Sequence, residues 1–138
     1  MKILEIEGRS KLGGTIKVSG NKNAALPMIT AALLTDDEII LHNVPHILDV
    51  VNMLRICEHI GLEYSFSGDT LRLKCHNLRS TSISAELCSP IRTSMLFAGP
   101  MLARFGRAEI CRPGGDFIGR RRLDAHIYGL KCLGAEVS

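Results

Sequence analysis

Apolar residues recur along this chain in two rhythms. Lys22 to Leu34 is rich in Ala and Leu, and from Ile47 to Ile60 apolar side chains fall at Ile47, Val50, Val51, Leu54 and Ile56, the spacing of a helix with one buried face. Gly61 follows as a helix stop. Shorter β-rich stretches predict strands at Ile3–Ile6, Thr15–Val18, Glu38–His42, Leu62–Phe66, Thr70–Leu73 and Ala108–Cys111, with turns at Gly13-Gly14 and Ser67-Gly68-Asp69. A third helix is predicted from Ser89 as its cap, with Pro90 in the first turn, towards Arg104. A Gly-rich loop, Pro113–Gly119, leads to a last helix over Leu123–Leu133 that Gly134 closes.

This order contains an internal repeat: apolar helix, strand, Pro-containing loop, amphipathic helix, Gly, strand. Ile60-Gly61-Leu62-Glu63 matches Leu133-Gly134-Ala135-Glu136 at an offset of 73 (60 to 133), whereas Pro45 matches Pro113 at an offset of 68 (45 to 113). The second loop is therefore five residues longer (73 less 68). Repeated units that leave an apolar face uncovered need further copies to close a core, and the second copy stops where its final strands should begin. Chance similarity between two ordinary helix and strand units is the competing account.

Composition narrows the class. With 46% hydrophobic and 22% charged residues, 4% aromatics and no Trp, the 138-residue chain must build its core from Leu, Ile, Val, Ala and Met. That favours an α/β or α+β fold. A net charge of +3 suits small anionic ligands and is too weak for nucleic acid, even with Arg120, Arg121 and Arg122 in a row. Five cysteines without close pairs or a secretory leader read as reduced thiols in a cytoplasmic protein. The longest apolar stretch, Ala24–Leu34, is interrupted by Pro27 and Thr30 and is far short of the roughly 20 residues that span a bilayer. No membrane association is expected.

Three segments carry candidate chemistry. Ser19-Gly20-Asn21-Lys22-Asn23 sets a Gly turn, a cation and an amide at a helix start, where free N–H groups and the dipole attract phosphate or carboxylate. A plain cap at Asn21 or Ser19 with a solvated Lys22 accounts for it as well. Arg92 offers a second cation at the start of the third helix, or is an ordinary surface residue. Pro113-Gly114-Gly115-Asp116-Phe117-Ile118-Gly119 reads as a lid with an acid at its tip, or as a surface loop in which Asp116 supports a turn. Asp124 and His126, spaced i and i+2, do not share a helix face but both reach a ligand lying across the helix end; a capping role is equally good. His42, His46, His59 and His76 lack metal-ligand spacing, so no metal and no cofactor is expected.

Taken together and in order, Ser19 to Pro27, Arg92 followed by Gly99-Pro100, and Pro113-Gly114-Gly115-Asp116 leading to Arg121, Asp124 and His126 closely resemble the UDP-N-acetylglucosamine 1-carboxyvinyltransferase family. The match runs over essentially the whole chain. The sister family that makes enolpyruvylshikimate phosphate carries an Asp-Lys-Ser type segment at the first helix start, and Lys22-Asn23 fits the cell-wall enzymes better. The resemblance implies transfer of the enolpyruvyl group of phosphoenolpyruvate to the 3-hydroxyl of UDP-N-acetylglucosamine with release of phosphate, the committed step of peptidoglycan synthesis. It further implies that Lys22, Arg92 and Arg121 bind the phosphate and carboxylate of phosphoenolpyruvate. Asn23 would hold the sugar, Arg121, Asp124 and His126 would border the uridine, and Asp116 would lie on a closing lid as proton donor; Arg122, beside them, is a further substrate-binding candidate.

Departures from the family pattern matter. Asp116 stands where most members have Cys, and Asn21 and Arg122 replace the usual Ala and Pro. The fold implied is α+β, a partial inside-out α/β barrel of repeated helix-strand units. Residues 1–20 would belong to the other domain of a full-length enzyme, and residues 21–138 to an incomplete domain with two repeats at about 21–73 and 89–138. The rest of the active site would lie in a missing C-terminal part, leaving the isolated chain inactive and prone to associate through exposed apolar edges. A non-catalytic anion- or nucleotide-binding fragment is the alternative.

Overall fold

The structure, a computed structural model, describes residues 3–115 and 122–138. Helix α1 (Lys22–Ala31) tightens into a 3₁₀ turn at Ala32–Leu34, and strand β1 (Ile39–Leu41) leads to helix α2 (Leu48–Ile60). Strands β2 (Glu63–Ser67) and β3 (Thr70–Lys74) form a hairpin on whose far side β1 adds, so the sheet is antiparallel in the order β1-β3-β2. Gly68, at φ 61°, opens the two-residue hairpin loop. In the second half, strand β4 (Ser82–Ile83), the short helix α3 (Ala85–Cys88), a 3₁₀ helix over Arg92–Phe97 and helix α4 (Ala98–Phe105) precede strand β5 (Glu109–Ile110), which pairs parallel with β4. Helix α5 (Asp124–Cys132) follows.

One apolar core joins these elements. Helix α2 buries Val50, Met53, Leu54, Ile56, Cys57 and Ile60 along one face, and β3 turns Leu71 and Leu73 inward while Arg72 and Lys74 point out. Ile29 and Leu33 from the first helix and Phe97 and Met101 from the second half complete it. Burial pushes the thiols of Cys57, Cys75 and Cys88 up from their ordinary range, which keeps them protonated and inert inside; all five cysteines are free.

Two helix ends are built alike. Gly61 (φ 100°) donates to Glu58 O while Leu62 N reaches Cys57 O, and Gly134 (φ 93°) donates to Lys131 O while Ala135 N reaches Leu130 O. Gly, lacking Cβ, adopts this left-handed φ without the steric cost that a side chain brings. At Gly61 a Cβ would also lie 2.3 Å from the Asn77 carbonyl oxygen. Gly61→Ala is expected to lower the unfolding free energy, read from urea denaturation, by more than the about 1–2 kcal/mol that a left-handed residue costs alone; an unchanged midpoint would contradict the packing described.

Two expectations fail. The strands at Ile3–Ile6 and Thr15–Val18 are absent: this stretch has no regular structure, and Ile3, Leu4, Ile6, Leu12, Ile16 and Val18 are exposed. A strand needs a neighbour for its backbone groups, and here no edge receives it. Nor does Ser89 cap the third helix with Pro90 in its first turn. Ser89 N donates to Ala85 O and closes α3, while Ile91 precedes the 3₁₀ helix that starts at Arg92. Because the helix becomes α-helical only at Ala98, Pro100 sits in a first turn, where its missing N–H costs nothing. Pro27, inside α1, is accommodated with its carbonyl accepting from Thr30 Oγ1 at 2.9 Å.

Candidate active site

Helix starts are the main feature. Asn21 caps α1, its side chain accepting from the Asn23 N–H at 2.8 Å, so the cap is real and sets Lys22 as the first helical residue. Lys22 Nζ in turn donates to Asp49 Oδ2 at 2.6 Å, which brings the first turn of α2 to the same end. The second-half helix runs parallel to α1. Its 3₁₀ start packs on α1, its α4 end packs on the 3₁₀ turn after α1, and Arg104 near that end donates to Leu33 O at 2.8 Å and pairs with Asp36. Thr93, next to Arg92, donates to Met53 Sδ at 3.7 Å, one turn beyond Asp49. Three helix starts, carrying Lys22, Asp49 and Arg92, therefore share one end of the core. Lys22 and Asp49 are partly exposed there, at 49% and 34% of their side-chain surfaces.

Backbone crossings pin this end. Before α1, Gly20 passes so close to the loop ahead of α2 that a Cβ would stand 1.6 Å from Asn43 O. In the second half, Gly114 crosses the segment ahead of the 3₁₀ helix, where a Cβ would stand 1.9 Å from Ser89 O. Gly114 N donates to Cys88 O at 3.1 Å and Gly115 N to Ser89 O at 2.9 Å, and Gly115 faces the Arg92 backbone. The Gly-rich loop thus leaves the core beside Arg92.

Placement of the expected residues is as follows. Lys22, Asn23 and Arg92 lie at the shared end. Arg122, Asp124 and His126 are exposed at the start of α5, where Arg122 pairs with Asp124 through Nε at 2.6 Å and Nη2 at 3.2 Å. The guanidinium beside Asp124 holds its carboxyl below the usual carboxylate range. Asp116 and Arg121 lie outside the described residues. Asp49 was not anticipated; an acid in a helix first turn is too common to signal a contact with a residue 27 positions away. Among the described residues, no group of three or more His, Cys, Asp or Glu is arranged to hold a metal ion, and no helix is long and apolar enough to cross a membrane.

Comparison with known proteins agrees with this architecture. The UDP-N-acetylglucosamine 1-carboxyvinyltransferase of Borreliella burgdorferi is 51% identical over 133 residues, and that of Treponema denticola 49% identical over 133 residues. Each alignment takes in 96% of this chain and 31% of the relative, so the chain spans about a third of the relatives' length. Among solved structures, the enolpyruvyl transferase NikO from Streptomyces tendae superimposes with a TM-score of 0.63 at 21% identity, over 69% of this chain and 22% of NikO, a likeness of fold. The EPSP synthase (3-phosphoshikimate 1-carboxyvinyltransferase) family model matches residues 6–138, and the chain belongs to that family.

Proposed function

We propose that this chain supplies one wall of the active site of a cytoplasmic enolpyruvyl transferase that joins phosphoenolpyruvate to the 3-hydroxyl of UDP-N-acetylglucosamine. The observation that carries the reading is the shared end where Lys22 and Arg92 begin parallel helices. Phosphoenolpyruvate bears a phosphate and a carboxylate on adjacent positions, and two cations on neighbouring helix starts, aided by the helix dipoles, match that charge pair. Arg121 would add a third cation.

In the reaction so assigned, the sugar hydroxyl adds to the substituted carbon of phosphoenolpyruvate while the methylene carbon takes a proton. Loss of that carbon's proton and of phosphate then regenerates the double bond in the product. Lys22, Arg92 and Arg121 stabilise charge that is concentrated as the tetrahedral intermediate forms. Asp116 is assigned as donor of the proton to the methylene carbon, a role that a carboxylic acid fills as a thiol does if it is kept protonated until used. Asn23 would hold the sugar, Arg121, Asp124 and His126 would border the uridine, and Arg122 would be a further substrate-binding residue beside them. The loop from Pro113 would close over phosphoenolpyruvate.

The remaining catalytic groups are assigned to sequence beyond this chain, and the exposed arm 3–18 to a strand region completed by another domain. In that architecture residues 21–138 form part of an inside-out barrel. The test is phosphate release from phosphoenolpyruvate with UDP-N-acetylglucosamine, comparing this chain with a form extended to the length of its relatives. The extended form is expected to turn over and this chain alone to be silent; an extended form without turnover refutes the proposal. Asp116 also predicts insensitivity to fosfomycin, which alkylates the thiol at this place in the family. Intact-mass measurement should find no adduct on the extended form and a full adduct on its Asp116→Cys variant. Stoichiometric labelling of the unsubstituted protein at residue 116 would contradict the assignment.

A further inference from the structure

Asp49 presents a problem that the anion-binding reading does not solve. Its carboxylate oxygen lies 2.6 Å from Lys22 Nζ, at the end of the core where a doubly anionic substrate is to bind. A fixed negative charge there repels the substrate and offsets the attraction of Lys22. Stability gives it little reason to exist: a partly exposed ion pair contributes about 0–1 kcal/mol. Asp49 does stand in the first turn of α2, where any acid is favoured by the helix dipole. That explains an acid at this position and leaves open why it grips a side chain on another helix.

The internal repeat sharpens the point. The offset of 73 that relates the ends of α2 and α5 carries Asp49 to Arg122. Arg122 precedes α5, whose own first turn carries Asp124, so both amphipathic helices begin with an acid, as the first helix of both halves begins with a cation, Lys22 or Arg92. In the second copy the acid pairs with its near neighbour Arg122, whereas in the first it reaches across helices to a lysine, a flexible point charge with about 2 kcal/mol of rotamer entropy to lose. We infer that Asp49 is a positioning residue: it holds the Lys22 ammonium in place across the starts of α1 and α2, so that the charge is already set when the substrate arrives. The cost is weaker attraction for the anion in the ground state, and the gain is alignment as charge develops in the transition state.

This inference rests on the transferase reading above, and its signature is a split between kinetic constants in the extended enzyme. Asp49→Asn removes the charge and keeps the shape. It is expected to lower kcat about tenfold or more while KM for phosphoenolpyruvate changes less than about threefold or falls. Asp49→Glu, which can still reach the ammonium, should recover part of the kcat, and both variants should melt within a few degrees of the parent. Unchanged kcat in Asp49→Asn overturns the inference, as does a loss that tracks the melting temperature and is not relieved by Glu. A parent that releases no phosphate brings down the transferase reading and this inference with it; an active parent with an indifferent Asn variant brings down this inference alone.

Discussion

In the extended enzyme, Lys22→Ala and Arg92→Ala are each expected to reduce kcat/KM for phosphoenolpyruvate by about 10²–10³, the scale lost when one preorganised electrostatic partner of a transition state is removed. Both residues begin helices whose starts share one end of the core, so each acts over a short distance on the same small anion. For that reason the double variant should lose less than the product of the single losses. Folding should be little affected by Lys22→Ala, because the side chain is half exposed and its ion pair with Asp49 is of the surface kind. Arg72→Ala is the matching control. Arg72 is also a half-exposed cation in an ion pair, with Glu38 at 3.1 Å, but it lies on the outward face of β3. Its variant should turn over like the parent. Equal losses at Lys22 and Arg72 would mean that overall charge, and not the shared helix end, governs the reaction.

Where the sequence was readable, the signal was local. The spacing of Val50, Leu54 and Ile56 gave α2 to within a residue, Gly61 and Gly134 ended their helices as glycines at left-handed φ, and Gly68 fixed the hairpin between β2 and β3. Lys22 was placed at a helix start by the Asn21 cap beside it. The failures needed information from elsewhere in the chain. Thr15–Val18 has a strand's composition, but pairing depends on an edge that the described residues do not offer it. The second half shows what such pairing looks like, since there β4 and β5 flank the helical segment as parallel neighbours. Ser89-Pro90 carries a helix-start signature, yet Ser89 is drawn into the end of α3 by its bond to Ala85 O. Asp49 was invisible because its meaning lies in the Lys22 ammonium on another helix.

The crossing at Gly114 offers the sharpest separation of site from fold. A methyl group at this position meets the carbonyl oxygen of Ser89 at 1.9 Å, and the atoms in the way are backbone, which cannot swing aside as a side chain would. Gly114→Ala should therefore lift the loop stem, breaking the bonds from Gly114 N to Cys88 O and from Gly115 N to Ser89 O. At about 0.5–1.5 kcal/mol net for each hydrogen bond, the loss of stability should be about 1–3 kcal/mol. The crossing meets the shared core at Cys88 and Ile91, while the part of that core built by α1, α2 and the β1-β3-β2 sheet lies on other elements and should persist. Activity should suffer more, because the stem that leads to Asp116 starts beside Arg92, and a displacement of about 1 Å at a reacting group can cost about 10² in rate. The expected result in the extended enzyme is a fall in kcat of at least about 10² with a cooperative unfolding transition retained. Hydrogen exchange should show faster exchange at Gly114 and Gly115 and unchanged protection in α2. Parent-like turnover with the same two amides still protected would mean that the stem can bend around the methyl group, and the loop would then owe nothing to the close approach at Ser89.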